Sequence, residues 1–130
     1  MTRKIRRRQT GSQAMNPTEF AQAIQMLRSE DPMTYEEGYH WLQGDNLIQH
    51  IDEIVVLLQA ETDPPTRAKF VELLGDADLA QYVPRLVQEL SHDCREVRFW
   101  AYNQLSLSEH LIAREQADAY RLTHPGEDFF

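Results

Sequence analysis

Two places in this 130-residue chain bring chemically capable side chains together. Glu37 and His40 stand three positions apart, a spacing that sets a carboxylate and an imidazole on one helical face, as carboxylate-bridged di-iron sites use. Those sites need two such pairs and two further glutamates from facing helices, and here the pair occurs once, so it reads as a solvated face. His92-Asp93-Cys94 gathers a base, an acid and a thiol, but three consecutive loop residues cannot converge on one atom. No second cysteine supports a zinc or redox reading. Nor is there a phosphate-cradling glycine loop or a serine nucleophile elbow. The sequence thus offers no catalytic residue, no cofactor site and no metal site, and activity is expected to reside in a surface.

The elements that carry these residues are helices. Asn16-Pro17-Thr18-Glu19 is a helix start with a side-chain cap, a proline at the first position and an acid at the third, followed by Phe20, Ala23, Ile24 and Leu27 at helical spacing. Asp31-Pro32 opens a second helix with Tyr35, Tyr39 and Leu42 on one face, and Gly44 is expected to stop it. A third, capped by Asp45 or Asn46, places Leu47, Ile48, Ile51, Ile54, Val55 and Leu58 inside an arc of about 120°. Val56 falls on its opposite side with Gln49, Glu53 and Ala60. Asp63 and Pro64 start a fourth helix with Ala68, Phe70, Val71 and Leu74 buried, and Gly75 is expected to end it. In the fifth, Pro84 removes a backbone donor and predicts either a kink or a loose first turn over 79–83 before a regular run to Leu90. Val97, Ala101 and Leu105 mark a sixth, flanked by more aromatics (Phe99, Trp100, Tyr102) than one face can bury, and Ser108 is expected to cap a seventh.

Charge and length bound the partners. No apolar run approaches the roughly 18 residues that suggest a membrane span, and the N-terminus lacks the apolar region of a secretory signal. With Cys94 alone no internal disulfide can form, so a reducing cytoplasm is the expected location. The net charge of −8 hides an asymmetry. Arg3, Lys4, Arg6, Arg7 and Arg8 fall in residues 1–14 with no acid, so the other eight bases face all 21 acids. Residues 1–14 form an expected disordered basic leader, with Met15 a possible initiator, ahead of a domain over 15–123 and a tail over 124–130. An acidic body lacks the positive potential that nucleic acid or anionic membrane demands, and favours a basic protein. Phe129-Phe130 after two acids either docks on the body, stays disordered, or serves as a ligand.

The chain also repeats itself. Shifted by 32 positions, Leu79, Val83, Leu86, Val87 and Leu90 fall on Leu47, Ile51, Ile54, Val55 and Leu58; shifted by 31, Arg98, Ala101 and Leu105 meet Arg67, Phe70 and Leu74. The run from Tyr82 to Leu90, a short loop, and Glu96-Val97-Arg98 leading to Ala101 and Leu105 resembles the HEAT repeat, in its short bacterial form. Neither the ankyrin nor the tetratricopeptide signature is present. The resemblance implies an all-α fold, a right-handed α-α superhelix of about seven helices in three hairpins behind an N-terminal capping helix. It also implies that Glu61 and Arg67 are the family's bridging acid and arginine, with His92 at the equivalent place before Arg98.

From this follows an expected function: a non-catalytic protein-binding module, monomeric or weakly self-associating. In its most concrete form it is an acidic immunity protein that inhibits a basic toxin, since free-standing acidic HEAT-like proteins resemble such inhibitors. The alternatives are an adaptor or assembly factor and a HEAT-like lyase. A HEAT-like DNA glycosylase needs a basic groove, whereas the second helices of the hairpins expose Gln49, Glu53, Gln81, Arg85 and Gln88. The expected partner contacts are Glu53, Val56, Gln81, Arg85, Gln88 and Trp100, with Arg67 and Arg98 structural.

Overall fold

Helices account for the whole secondary structure that the computed structural model shows for residues 15–129, and no strand occurs among these described residues. In chain order they are α1 (Pro17–Leu27), α2 (Pro32–Trp41), α3 (Asp45–Gln49), α4 (Ile51–Ala60), α5 (Pro64–Ala77), a 3-10 turn (Ala80–Tyr82), α6 (Val83–Glu89), α7 (Arg95–Leu107) and α8 (Leu111–Thr123). The basic leader expected over residues 1–14 and Phe130 lie outside the described residues. Two compact units divide the chain, one ending at His50 and the other beginning at Ile51.

In the first unit the polar residues before the prolines do the capping. Asn16 Oδ1 accepts from the Glu19 amide at 2.8 Å while Glu19 Oε1 accepts from the Asn16 amide at 3.0 Å, the reciprocal box expected of this tetrapeptide. Asp31 accepts from both the amide (3.0 Å) and the hydroxyl (2.7 Å) of Thr34, and these bonds hold its carboxyl below the usual value. Phe20, Ala23, Ile24 and Leu27 form the buried stripe of α1, as their spacing predicts. α1 and α2 pack closely because Gly38 has no side chain: a Cβ there would lie 2.7 Å from Met26 Cβ and 2.9 Å from the Ala23 carbonyl oxygen.

The third helix departs from expectation. α2 ends at Trp41, and Gly44, at φ 60, is the N-cap of α3 rather than the stop of α2, with Asp45 already in the first turn. The helix expected to run unbroken to Ala60 is divided at His50 (φ −108, ψ 19), which turns its buried ring inward. That ring stacks on Phe20 at 4.5 Å, and its Nε2 lies 3.0 Å from the Met15 carbonyl oxygen. A carbonyl can only accept, so Nε2 carries the proton. Ile48, placed by periodicity on the core face, is instead 44% exposed.

In the second unit α5 packs against α4, α6 and α7, and its Ala68, Phe70, Val71, Leu73 and Leu74 are buried. Asp63 caps it as expected, accepting from the Thr66 hydroxyl at 2.7 Å. Gly75 does not end it. α5 continues to Ala77 and closes on Asp78 in the left-handed conformation (φ 50), while Gly75 faces α7 where a Cβ would overlap Cβ and Cγ of Gln104. Pro84 takes the second of the two forms predicted: a 3-10 turn precedes a regular α6 with the proline in its first turn. Ser108 lies at the C-cap of α7 and not at the start of α8; its hydroxyl donates to Asp78 and accepts from the His110 amide, and His110 is the N-cap of α8.

The internal repeat is visible in burial. Ile51 and Val83, Ile54 and Leu86, and Leu58 and Leu90, each 32 positions apart, are buried as pairs. So are Phe70 and Ala101, and Leu74 and Leu105, each 31 apart.

Candidate functional site

The two sequence candidates for chemistry lie in different surroundings. Glu37 and His40 are exposed on α2. In the loop before α7, His92 Nδ1 accepts from the Cys94 amide at 2.9 Å, and the carbonyls of His92 and Asp93 accept from Arg98 Nη1 at 3.0 and 2.8 Å. That loop is a helix cap held by an arginine. Among the described residues no three His, Cys, Asp or Glu side chains gather in a way that could hold a metal ion, and no helix is long and apolar enough to cross a membrane.

Of the six residues expected to meet a partner, four stand on exposed positions of the second unit. Glu53 and Val56 lie on the outer side of α4, Val56 63% exposed, and Gln81 and Gln88 are exposed on the 3-10 turn and α6. The Tyr82 hydroxyl donates to Asp52 Oδ1 at 2.6 Å and ties the start of α4 to that turn. Trp100 is half-buried on α7 and meets Phe99 edge-on at 5.4 Å. Arg85 departs from the expectation of a rim contact. Its side chain is only 11% exposed, and its Nη2 pairs with Glu89 Oε2 at 2.7 Å while Nη1 donates to Gln88 Oε1 at 2.9 Å.

Glu89 is the centre that sequence reasoning missed. Its buried carboxylate is gripped by Arg67, whose Nε and Nη2 each donate at 2.8 Å, and by Arg85. Burial pushes this carboxyl up, but the Arg67 and Arg85 guanidiniums outweigh it and hold the group below the usual value. Arg67 Nη1 also donates to the Glu61 carbonyl oxygen at 2.8 Å. Glu61 thus meets Arg67 through its backbone oxygen and through the field of its carboxylate, while the carboxylate that takes the two-pronged hydrogen bond from the guanidinium is that of Glu89.

The same device recurs 31 residues later with its acid drawn from elsewhere. Arg98, like Arg67 the fourth residue of its helix, donates from Nη1 to the carbonyl six residues back and from Nε and Nη2 to a carboxylate, here Glu127 at 2.7 and 3.2 Å. Arg114, fourth in α8, repeats the carbonyl contact with Ser108 at 2.8 Å. Glu89 shifted by 31 is Tyr120, whose hydroxyl donates to Glu127 Oε1 at 2.6 Å. Burial and this hydrogen bond push the Tyr120 hydroxyl up to about 12, while Arg98 and Tyr120 draw Glu127 down to about 2.

Around this pair the tail docks on the body. Asp128 pairs with Arg95, and the Phe129 ring sits 5.6 Å from Phe99, 5.5 Å from Tyr102 and 6.3 Å from Tyr120, with the Arg95 guanidinium 5.4 Å from its centre. The crowd of aromatics on α7 is thus partly explained: Phe99 and Tyr102 receive the tail. The spacing of Arg67 and Arg98 signalled two equivalent arginines, but nothing local to either one signalled Glu89 or Glu127. Comparison of the chain with models of known families, with curated proteins and with solved structures gives no match.

Proposed function

We propose that the chain is a non-catalytic protein-binding module whose helices from α4 onward stack in the manner of short HEAT-like repeats in a right-handed superhelix. Its partner is a basic protein, and the most concrete form is the inhibition of a basic toxin in the cytoplasm. The fold half of this reading is supported by burial recurring at 31 and 32 positions and by the arginine that three helices place at their fourth residue. The binding half is carried by one observation: Glu53, Val56, Gln81 and Gln88 stand exposed on helices joined by the Tyr82–Asp52 bond, on a chain that holds 21 acids against 13 bases. An exposed aliphatic beside a carboxylate and amides suits a partner that arrives by electrostatic steering and is retained by a few apolar contacts.

The test uses the full chain as bait against basic proteins at low and high salt. Glu53→Lys slows association of a captured partner several-fold at about 50 mM salt, and the difference fades as screening shortens the reach of charge. Val56→Asp raises the off-rate with little change in on-rate. An association rate at low salt that does not respond to Glu53→Lys refutes the reading.

A further inference from the structure

The cleft that receives the tail has the composition of a peptide receptor. Arg98 and Arg95 stand one helical turn apart at the start of α7, and Phe99, Tyr102 and Tyr120 form an aromatic floor beside them. Three successive residues fill the cleft, each through a different kind of contact. Glu127 takes a two-pronged bond from Arg98 and a third from Tyr120, Asp128 takes Arg95, and Phe129 lies among the three rings under the Arg95 guanidinium.

Comparison with the Arg67 cluster separates this cleft from a core feature. There the acid that satisfies Arg67 is built into helix α6 as Glu89. Here the corresponding helix position is Tyr120, so Arg98 is completed only by a carboxylate arriving from outside the helices. The segment that supplies it has left α8 at Thr123 and crosses exposed His124, Pro125 and Gly126. Among the described residues its backbone bonds are local ones, His124 N–H to Tyr120 O and Glu127 N–H to His124 O, so side chains do the holding. Nothing in such an attachment requires that the acids and the ring belong to the same chain.

We propose that this cleft is a binding site for a short acidic-aromatic peptide segment, two carboxylates followed by a phenyl ring, presented by a partner protein, and that residues 127–129 are its built-in competitor. The site is distinct from the α4 and α6 surface assigned above and does not rest on that assignment. A tethered competitor faces its site at an effective concentration of order mM, so the free chain holds the cleft closed to weak ligands and yields it to tighter ones.

The probe is a labelled peptide, Thr-His-Pro-Gly-Glu-Asp-Phe-Phe, which copies residues 123–130. Its binding by fluorescence anisotropy is compared between the 130-residue chain and a variant of the same length carrying Glu127→Gln, Asp128→Asn and Phe129→Ala. The expected result is binding to the variant about tenfold or more tighter than to the unaltered chain. Adding Arg98→Gln to that variant, or using a peptide with Gln-Asn-Ala in place of Glu-Asp-Phe, should abolish it. Equal affinity for both chains, or no binding to a variant whose helical circular dichroism is intact, overturns the proposal. Should the variant fail to fold, hydrogen exchange on the unaltered chain decides. The amides of residues 124 and 126–129 exchange faster as peptide is added if the tail is displaced, and unchanged exchange at millimolar peptide overturns the proposal.

Discussion

Glu89 is the side chain on which the polar interior of the second unit turns. A buried carboxylate without partners is too costly to hold ionised, and here Arg67 supplies a two-pronged bond on one side and Arg85 a single contact on the other. Glu89→Gln would remove the anion and leave Arg67 and Arg85 facing each other, so a loss of about 3–5 kcal/mol is expected, read as a lower urea midpoint at pH 7. The direction of its pKa fixes the pH dependence. A carboxyl held below its unfolded value of 4.5 stabilises the fold fully above that value and ceases to do so as pH falls through the folded one. Glu127 obeys the same sign over a defined window, from 4.5 down to about 2. Acid should therefore release the tail within that window, and the ring resonances of Tyr120 and Phe129 should report it. Glu127→Gln is expected to remove that transition and leave the tail released at neutral pH. The arginines of these clusters were legible because they repeat at a fixed interval, whereas their acids lie 22 and 29 positions downstream on different kinds of segment. A periodicity in one strip of sequence cannot reveal a partner that does not share the period.

At the scale of the element, capping chemistry was the most readable part, since Asn16, Asp31 and Asp63 act on amides three residues away. Breaks and close approaches were less so. Pro84 explained the loose turn before α6, yet the same interruption stands 32 positions earlier at His50, with no proline, and α4 and α6 begin at the equivalent residues Ile51 and Val83. The break therefore occurs with and without a proline, and Pro84 suits it without being required for it. Gly75 looked like a terminator because it follows the last apolar position of its stripe, but its role is set by Gln104, a residue 29 positions on. Gln104 cannot swing aside cheaply: its Nε2 donates to the Glu72 carbonyl oxygen at 2.6 Å and to Asp76 Oδ1 at 2.9 Å. Replacing a helical glycine by alanine ordinarily gains about 1 kcal/mol, and overpacking costs about 1–3 kcal/mol. Gly75→Ala should therefore lower the melting temperature by a few degrees rather than raise it. Gly38→Ala should cost more, because two of the atoms it meets, Ala23 O and Leu27 N, belong to the backbone of α1.

At the scale of the molecule, the sequence conveyed the helical class and the excess of acid, but not the division at His50 or how firmly each helix is held. Within the second unit, enclosure is uneven. α5 contributes six buried residues, Phe70 among them, and touches α4, α6 and α7. α8 buries Ala113, Ala117 and Tyr120, two of them small, while Leu111, Ile112 and Leu122 remain exposed beside Glu115 and Asp118. At about 25 cal/mol per Å² of apolar surface removed from water, two alanines and a tyrosine hold a 13-residue helix far less firmly than the α5 stripe holds its own. Much of what secures the end of α8 is then the tail, through Glu127 on Tyr120 and Phe129 on the same ring. Native-state hydrogen exchange should accordingly show α5 and the buried face of α7 opening only with global unfolding, and α8 opening locally, about a hundredfold faster. Glu127→Gln should raise exchange further in the last turns of α8 and leave α5 unchanged. If α8 exchanges as slowly as α5, its attachment rests on more than these three residues and the tail, and stability is not graded along the second unit.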